Sequence, residues 1–103
     1  MIKNMKARKL IKSNLNAIKN CIISDMPNKF DSHEFIRRFA KMYENQYVSF
    51  LSAYKKNHHR KVHAQIALGL VENMENLYIK KVGKVESKNV FGISTENQEW
   101  IKV

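Results

Sequence analysis

Apolar residues recur at steps of three and four along much of this chain. Ile2, Met5, Ile11, Leu15, Ile18 and Ile22 form the first such stripe. That is the period of one helical face and predicts a first helix over about 2–23. Asn4, Asn14, Asn16 and Asn20 weaken its intrinsic helicity, so packing must supply much of its stability. The run Ser24-Asp25-Met26-Pro27-Asn28 ends it, because Pro27 restricts the preceding residue and has no N–H to donate.

The second helix has the clearest start. Asp31 stands at a cap position with Glu34 three residues on, the spacing of a capping box. Phe30 precedes the cap and Phe35 follows at the fourth helical position, the arrangement of a hydrophobic staple. Phe39, Met42, Tyr43, Tyr47, Phe50, Leu51 and Tyr54 continue the pattern. A helix over about 32–56 would span roughly 35 to 40 Å, long enough to leave room for a bend or a break. A basic connection over residues 55–61 leads to a third helix over about 60–75, with Val62, Ile66, Leu70 and Met74 facing inward. Gly69 in that helix costs roughly 1 kcal/mol against Ala and would admit a close neighbour.

Beyond residue 76 the period changes. Leu77-Tyr78-Ile79 through Val85 is rich in β-branched and aromatic residues and predicts a strand; Glu99 to Val103 predicts a second. The polar stretch 87–98 reads as a loop between them. The expected fold is therefore α+β: a small helical domain of three helices followed by a C-terminal β-hairpin over about 77–103. Two strands alone are marginal in water, so the hairpin must pack on the helices. No repeat or flexible linker interrupts the pattern, and the 103 residues read as one domain. A large cleft between lobes is excluded at this size.

Charge adds a function class to that picture. Nineteen Lys and Arg against nine Asp and Glu give +10, which bears on partners rather than on fold. Nucleic acid is the first candidate partner, an anionic membrane or an acidic protein the next. A genome rich in A and T would also enrich Lys, Asn and Ile, which number fifteen, eleven and ten here. The single cysteine, Cys21, has no internal disulfide partner and lies in the run Cys21-Ile22-Ile23, where it reads as a buried hydrophobe. No apolar stretch reaches membrane-span length, and the basic N-terminus lacks the pattern of a signal peptide, so the expected location is cytoplasmic.

The order of elements resembles that of a small winged helix domain. In helix-turn-helix geometry the last helix enters the major groove, which here assigns Arg60, Lys61, His63 and Gln65 to bases or adjacent phosphates. Lys80, Lys81, Lys84 and Lys88 would reach phosphate from the wing. Lys55 and Lys56 would meet the backbone beside the third helix, with Lys6, Arg8, Lys9 and Lys12 as auxiliary contacts. His59 and His63 share a helix face, but no third ligand lies near in sequence, so neither a metal nor another cofactor is expected. No nucleophile motif or glycine-rich phosphate loop is present, and the reading is of a non-enzymatic, nucleic-acid-binding domain with duplex DNA as its partner. The alternative is a protein–protein interaction module or homodimeric regulatory subunit, motivated by the long aromatic second helix. Tyr43, Tyr47, Phe50 and Tyr54 are read as core, and Trp100 as the anchor of the closing strand.

Overall fold

The structure, a computed structural model, describes residues 6–103. Its elements run α1 (Lys6–Ser13), α2 (Leu15–Cys21), a 3-10 turn (Ile23–Asp25), β1 (Lys29–Asp31), α3 (Ser32–Met42), α4 (Glu44–Ser52), α5 (His58–Glu72), β2 (Ile79–Lys88) and β3 (Ser94–Lys102). The class is α+β. Five α-helices replace the three expected from the sequence, and a three-stranded antiparallel sheet replaces the two-stranded hairpin. Ile2, Lys3 and Met5 of the expected first helix lie outside the described residues.

Each extra helix arises at a break in a continuous apolar stripe. At Asn14 the backbone leaves helical geometry (φ −131°, ψ 35°). Its side-chain amide donates to the Leu10 carbonyl at 2.8 Å, the local competition that makes Asn a poor helix interior. At Tyr43 the backbone turns again (φ −114°, ψ 48°), separating α3 from α4. The break turns Tyr47 toward the start of α5.

Asp31 caps α3 as its spacing indicates. Its Oδ1 accepts the Glu34 N–H at 2.9 Å. Glu34 does not return the bond. Its carboxylate accepts from Arg37 at 2.7 Å and Arg38 at 2.8 Å instead, so the box is half made. These two guanidiniums hold the Glu34 carboxyl below the usual range. Asp31→Ala is expected to cost about 1 kcal/mol, read as a lower urea midpoint at unchanged slope. An unchanged midpoint would show the cap to be energetically idle.

The strands lie in the order β1-β3-β2. β1 pairs Phe30 with Trp100, and β2 pairs Lys81 with Trp100 across the other edge. A bulge between Lys81 and Gly83 bends β2, which adds local twist. Most of the stretch 87–98 expected as loop is strand, and only residues 89–93 form the turn. Trp100, Phe35, Phe39, Ile11, Ile18, Ile66 and Leu70 fill the centre of the core. α1 crosses α5 at Gly69, where an added Cβ would fall on the Cδ1 of Ile11. That close approach is what the glycine provides. Cys21 is exposed, not buried. It ends α2, where Ile18 and Ile22 take the core positions. Among the described residues no helix is long and apolar enough to cross a membrane.

Candidate functional site

A groove of about 710 Å³ lies between the outer face of α5, the first turn of α3 and the hairpin. Arg60, Ala64, Leu68 and Val71 line it from α5, and Lys81, Lys84 and Gln98 from the strands. Ile36 and Trp100 form its floor, and Val90 and Phe91 close one end. No Asp or Glu lines it.

The hairpin is held over α5 by the start of α3. The His33 N–H donates to Asn97 Oδ1 at 2.9 Å. The His33 ring lies between Ser87 Oγ at 3.0 Å and Thr95 Oγ1 at 3.2 Å. Asn97 Nδ2 in turn donates to the Val85 carbonyl and to Ser87 Oγ, each at 3.1 Å. Arg37 Nη1 reaches the Lys88 carbonyl at 2.8 Å. At the tip, Asn89 Oδ1 accepts the N–H groups of Phe91 and Ile93 at 2.9 and 3.1 Å. Gly92 takes the positive φ of 78° that this turn needs.

The tip rests on a cluster of rings. Phe91 packs edge-on against His59 with centroids 4.9 Å apart. Tyr47 Oη lies 2.9 Å from His59 Nδ1 and 2.6 Å from His63 Nε2. A phenol has one proton to give, so one imidazole accepts from it and the other donates to it. Burial pushes the Tyr47 hydroxyl up, which keeps it protonated at neutral pH. Burial, with repulsion from His59 and His33, lowers His63 to about 4. His63 is therefore a neutral, internally bonded side chain at physiological pH.

The structure distributes the sequence-derived cations unevenly. Arg60, Lys81 and Lys84 meet on the groove. Lys80 and Lys88 are exposed along the same strand, and Lys55, Lys56 and Lys61 are exposed around the start of α5. The Lys61 ammonium lies 5.4 Å from the Tyr54 ring centroid. Lys6, Lys9 and Lys12 are exposed on α1. Arg8 is engaged: its Nε donates to Glu72 Oε1 at 3.0 Å and its Nη2 pairs with Oε2. That bidentate pair raises Arg8 and lowers Glu72. Gln65 is half-buried, and its Oε1 is enclosed without a hydrogen-bond partner. His63 is half-buried and lines the same groove as Arg60, Lys81 and Lys84.

Three contributors were not legible as such. His33 joins α3 to the hairpin, Tyr47 joins α4 to α5, and Phe91 caps the groove. Only the i, i+4 spacing of His59 and His63 signalled a shared partner. Among the described residues no group of three or more His, Cys, Asp or Glu side chains is placed to hold a metal ion. Comparison with known proteins finds no matching family model, curated protein or solved structure.

Proposed function

We propose that this domain binds duplex DNA without catalysis, using α5 and the hairpin as the two sides of one cationic surface. The observation that carries this reading is the convergence of Arg60 with Lys81 and Lys84 on a groove that no carboxylate lines. Among the described residues, Arg8, Arg37 and Arg38 pair with carboxylates, whereas no lysine enters an ion pair. The lysines are therefore the charges left for phosphate. The winged helix reading draws support from the order of elements and from the strand order β1-β3-β2. The likeness is one of fold and does not itself define function.

Base reading in this arrangement is sparse. Arg60 supplies a guanidinium for guanine, and Ala64 with Leu68 offers apolar contact to thymine methyl groups. Sequence preference is accordingly modest and phosphate contact dominates. Lys81→Ala with Lys84→Ala should weaken duplex binding about tenfold and reduce the salt slope by about two. Fluorescence anisotropy with duplex DNA, single-stranded DNA and duplex RNA, over about 50 to 200 mM salt, measures both quantities. Duplex RNA should bind more weakly, because its deep, narrow major groove shuts out a helix. Equal binding to all three nucleic acids, or native affinity in the double variant, rejects the reading.

A second reading, self-association or docking to another protein, is favoured by the tip of the hairpin. Phe91 is 58% and Ile93 60% exposed, and exposed apolar clusters mark interaction sites. Sedimentation equilibrium showing a monomer that Phe91→Ser with Ile93→Ser leaves unchanged would remove the homodimer.

A further inference from the structure

We propose that the groove between α5 and the hairpin is a binding site for a small amphipathic anion, an apolar aliphatic or aromatic body carrying a carboxylate, and that its occupancy competes with DNA. The competition rests on the function proposed above; the binding does not.

The volume of about 710 Å³ falls within the range of small-molecule sites, which are mostly apolar with a few placed polar groups. The indole of Trp100 donates its N–H to Ser32 Oγ at 3.0 Å, so it offers the groove a ring and no donor. Ala64, Leu68, Val71 and Phe91 extend that apolar surface. Several neutral polar side chains of the lining are already engaged. His33 is bonded to Ser87 and Thr95, Asn97 to Val85 and Ser87, and Gln98 to the Gly83 and Glu99 carbonyls.

The lining also carries three cations. Arg60, Lys81 and Lys84 have no hydrogen-bond or ion-pair partner among the described residues, and no acid in the lining opposes them. An apolar floor under three free cations fits a ligand with one apolar end and one anionic end. Arg60 and Lys81 are also assigned to DNA phosphate, so a bound carboxylate would neutralise charges that the nucleic acid needs.

The probes are octanoate and its neutral counterpart 1-octanol, titrated into the 15N-labelled full chain without nucleic acid. Amide shifts at Ala64, Leu68 and Phe91, with the Trp100 indole N–H, report occupancy of the groove. Octanoate should bind at least about tenfold more tightly than octanol, as a charge-assisted hydrogen bond requires. The double variant Arg60→Gln with Lys81→Gln should erase that preference while leaving octanol binding unchanged, a result that loss of fold would not give. Equal affinity for the two probes in the native chain, shifts scattered away from the groove, or no saturable shift overturns the site. Saturating octanoate should also release duplex DNA; DNA retained undiminished overturns the competition. Octanoate bound by a protein that fails to bind DNA rejects the proposed function and upholds the ligand site.

Discussion

Trp100→Ala is expected to remove a large part of the folding stability. Trp100 is 0% exposed and lies on β3, the central strand of the sheet, paired with Phe30 on one side and Lys81 on the other. Deleting a buried indole costs about 3 to 5 kcal/mol through lost transfer energy and the cavity left behind. The substitution also strands the buried Ser32 hydroxyl, which accepts the indole N–H at 3.0 Å; an orphaned buried acceptor adds about 1 kcal/mol or more. Domains of this size hold only about 5 to 15 kcal/mol in total. Trp100→Phe keeps a ring in the cavity and loses the hydrogen bond, so its cost should be less than half as large. Far-UV circular dichroism in urea measures both variants, since the lone tryptophan is gone from each. A native-like midpoint for the alanine variant would mean that the sheet is not closed by this residue.

The second large effect is a loss of stability in mild acid. His63 has a folded pKa of about 4 against 6.5 for the free side chain, chiefly because burial disfavours its charged form. Above pH 6.5 the imidazole is neutral in both states and its full contribution is present. Below pH 6.5 the unfolded chain takes up a proton that the folded chain refuses, so stability falls until the pH reaches about 4. The loss is about 2 kcal/mol once partial solvation of the ring is allowed for. Glu34 and Glu72 act in a lower window. Their carboxyls are held below 4.5 by arginine partners, so their contribution is complete above that pH and lost as the pH falls through their folded values. The interval between 6.5 and 4.5 is therefore diagnostic of the histidine. His63→Gln should flatten the urea midpoint across that interval while Tyr47 keeps a polar neighbour. A midpoint that falls as steeply in the variant would assign the effect elsewhere.

The legible parts of this fold are those whose cause is local. Asp31 announces α3 because a cap acts over three residues, and Val62, Ile66 and Leu70 announce the buried face of α5 because a helix repeats over four. The breaks at Asn14 and Tyr43 leave no such mark, since the apolar period runs through both of them. β1 is three residues long and carries no alternation; Lys29, Phe30 and Asp31 are a strand only because Ile101, Trp100 and Glu99 lie opposite. The distal hairpin faces the groove with polar side chains, so Thr95, Glu96, Asn97 and Gln98 carry loop composition while pairing as a strand. The candidate site divides in the same way. Charge placed Arg60, Lys81 and Lys84 on a list, and folding brought them together. His63 reaches the same groove but is tied to Tyr47, and Gln65 keeps its Oε1 enclosed.

The position of β3 between β1 and β2 also sets the order in which the chain can mature. The partners Ser32 and Trp100 are 68 positions apart, and among the described residues β1 pairs with β3 alone. On the ribosome the helices can form as they emerge, since their bonds are local, but the sheet must wait for its central strand. Until then Phe30, Ile79 and the floor of the groove stay uncovered, an interval in which a nascent chain is open to chaperones and to misassembly. Substitutions that slow synthesis of the final hairpin would lengthen that interval without changing the finished molecule.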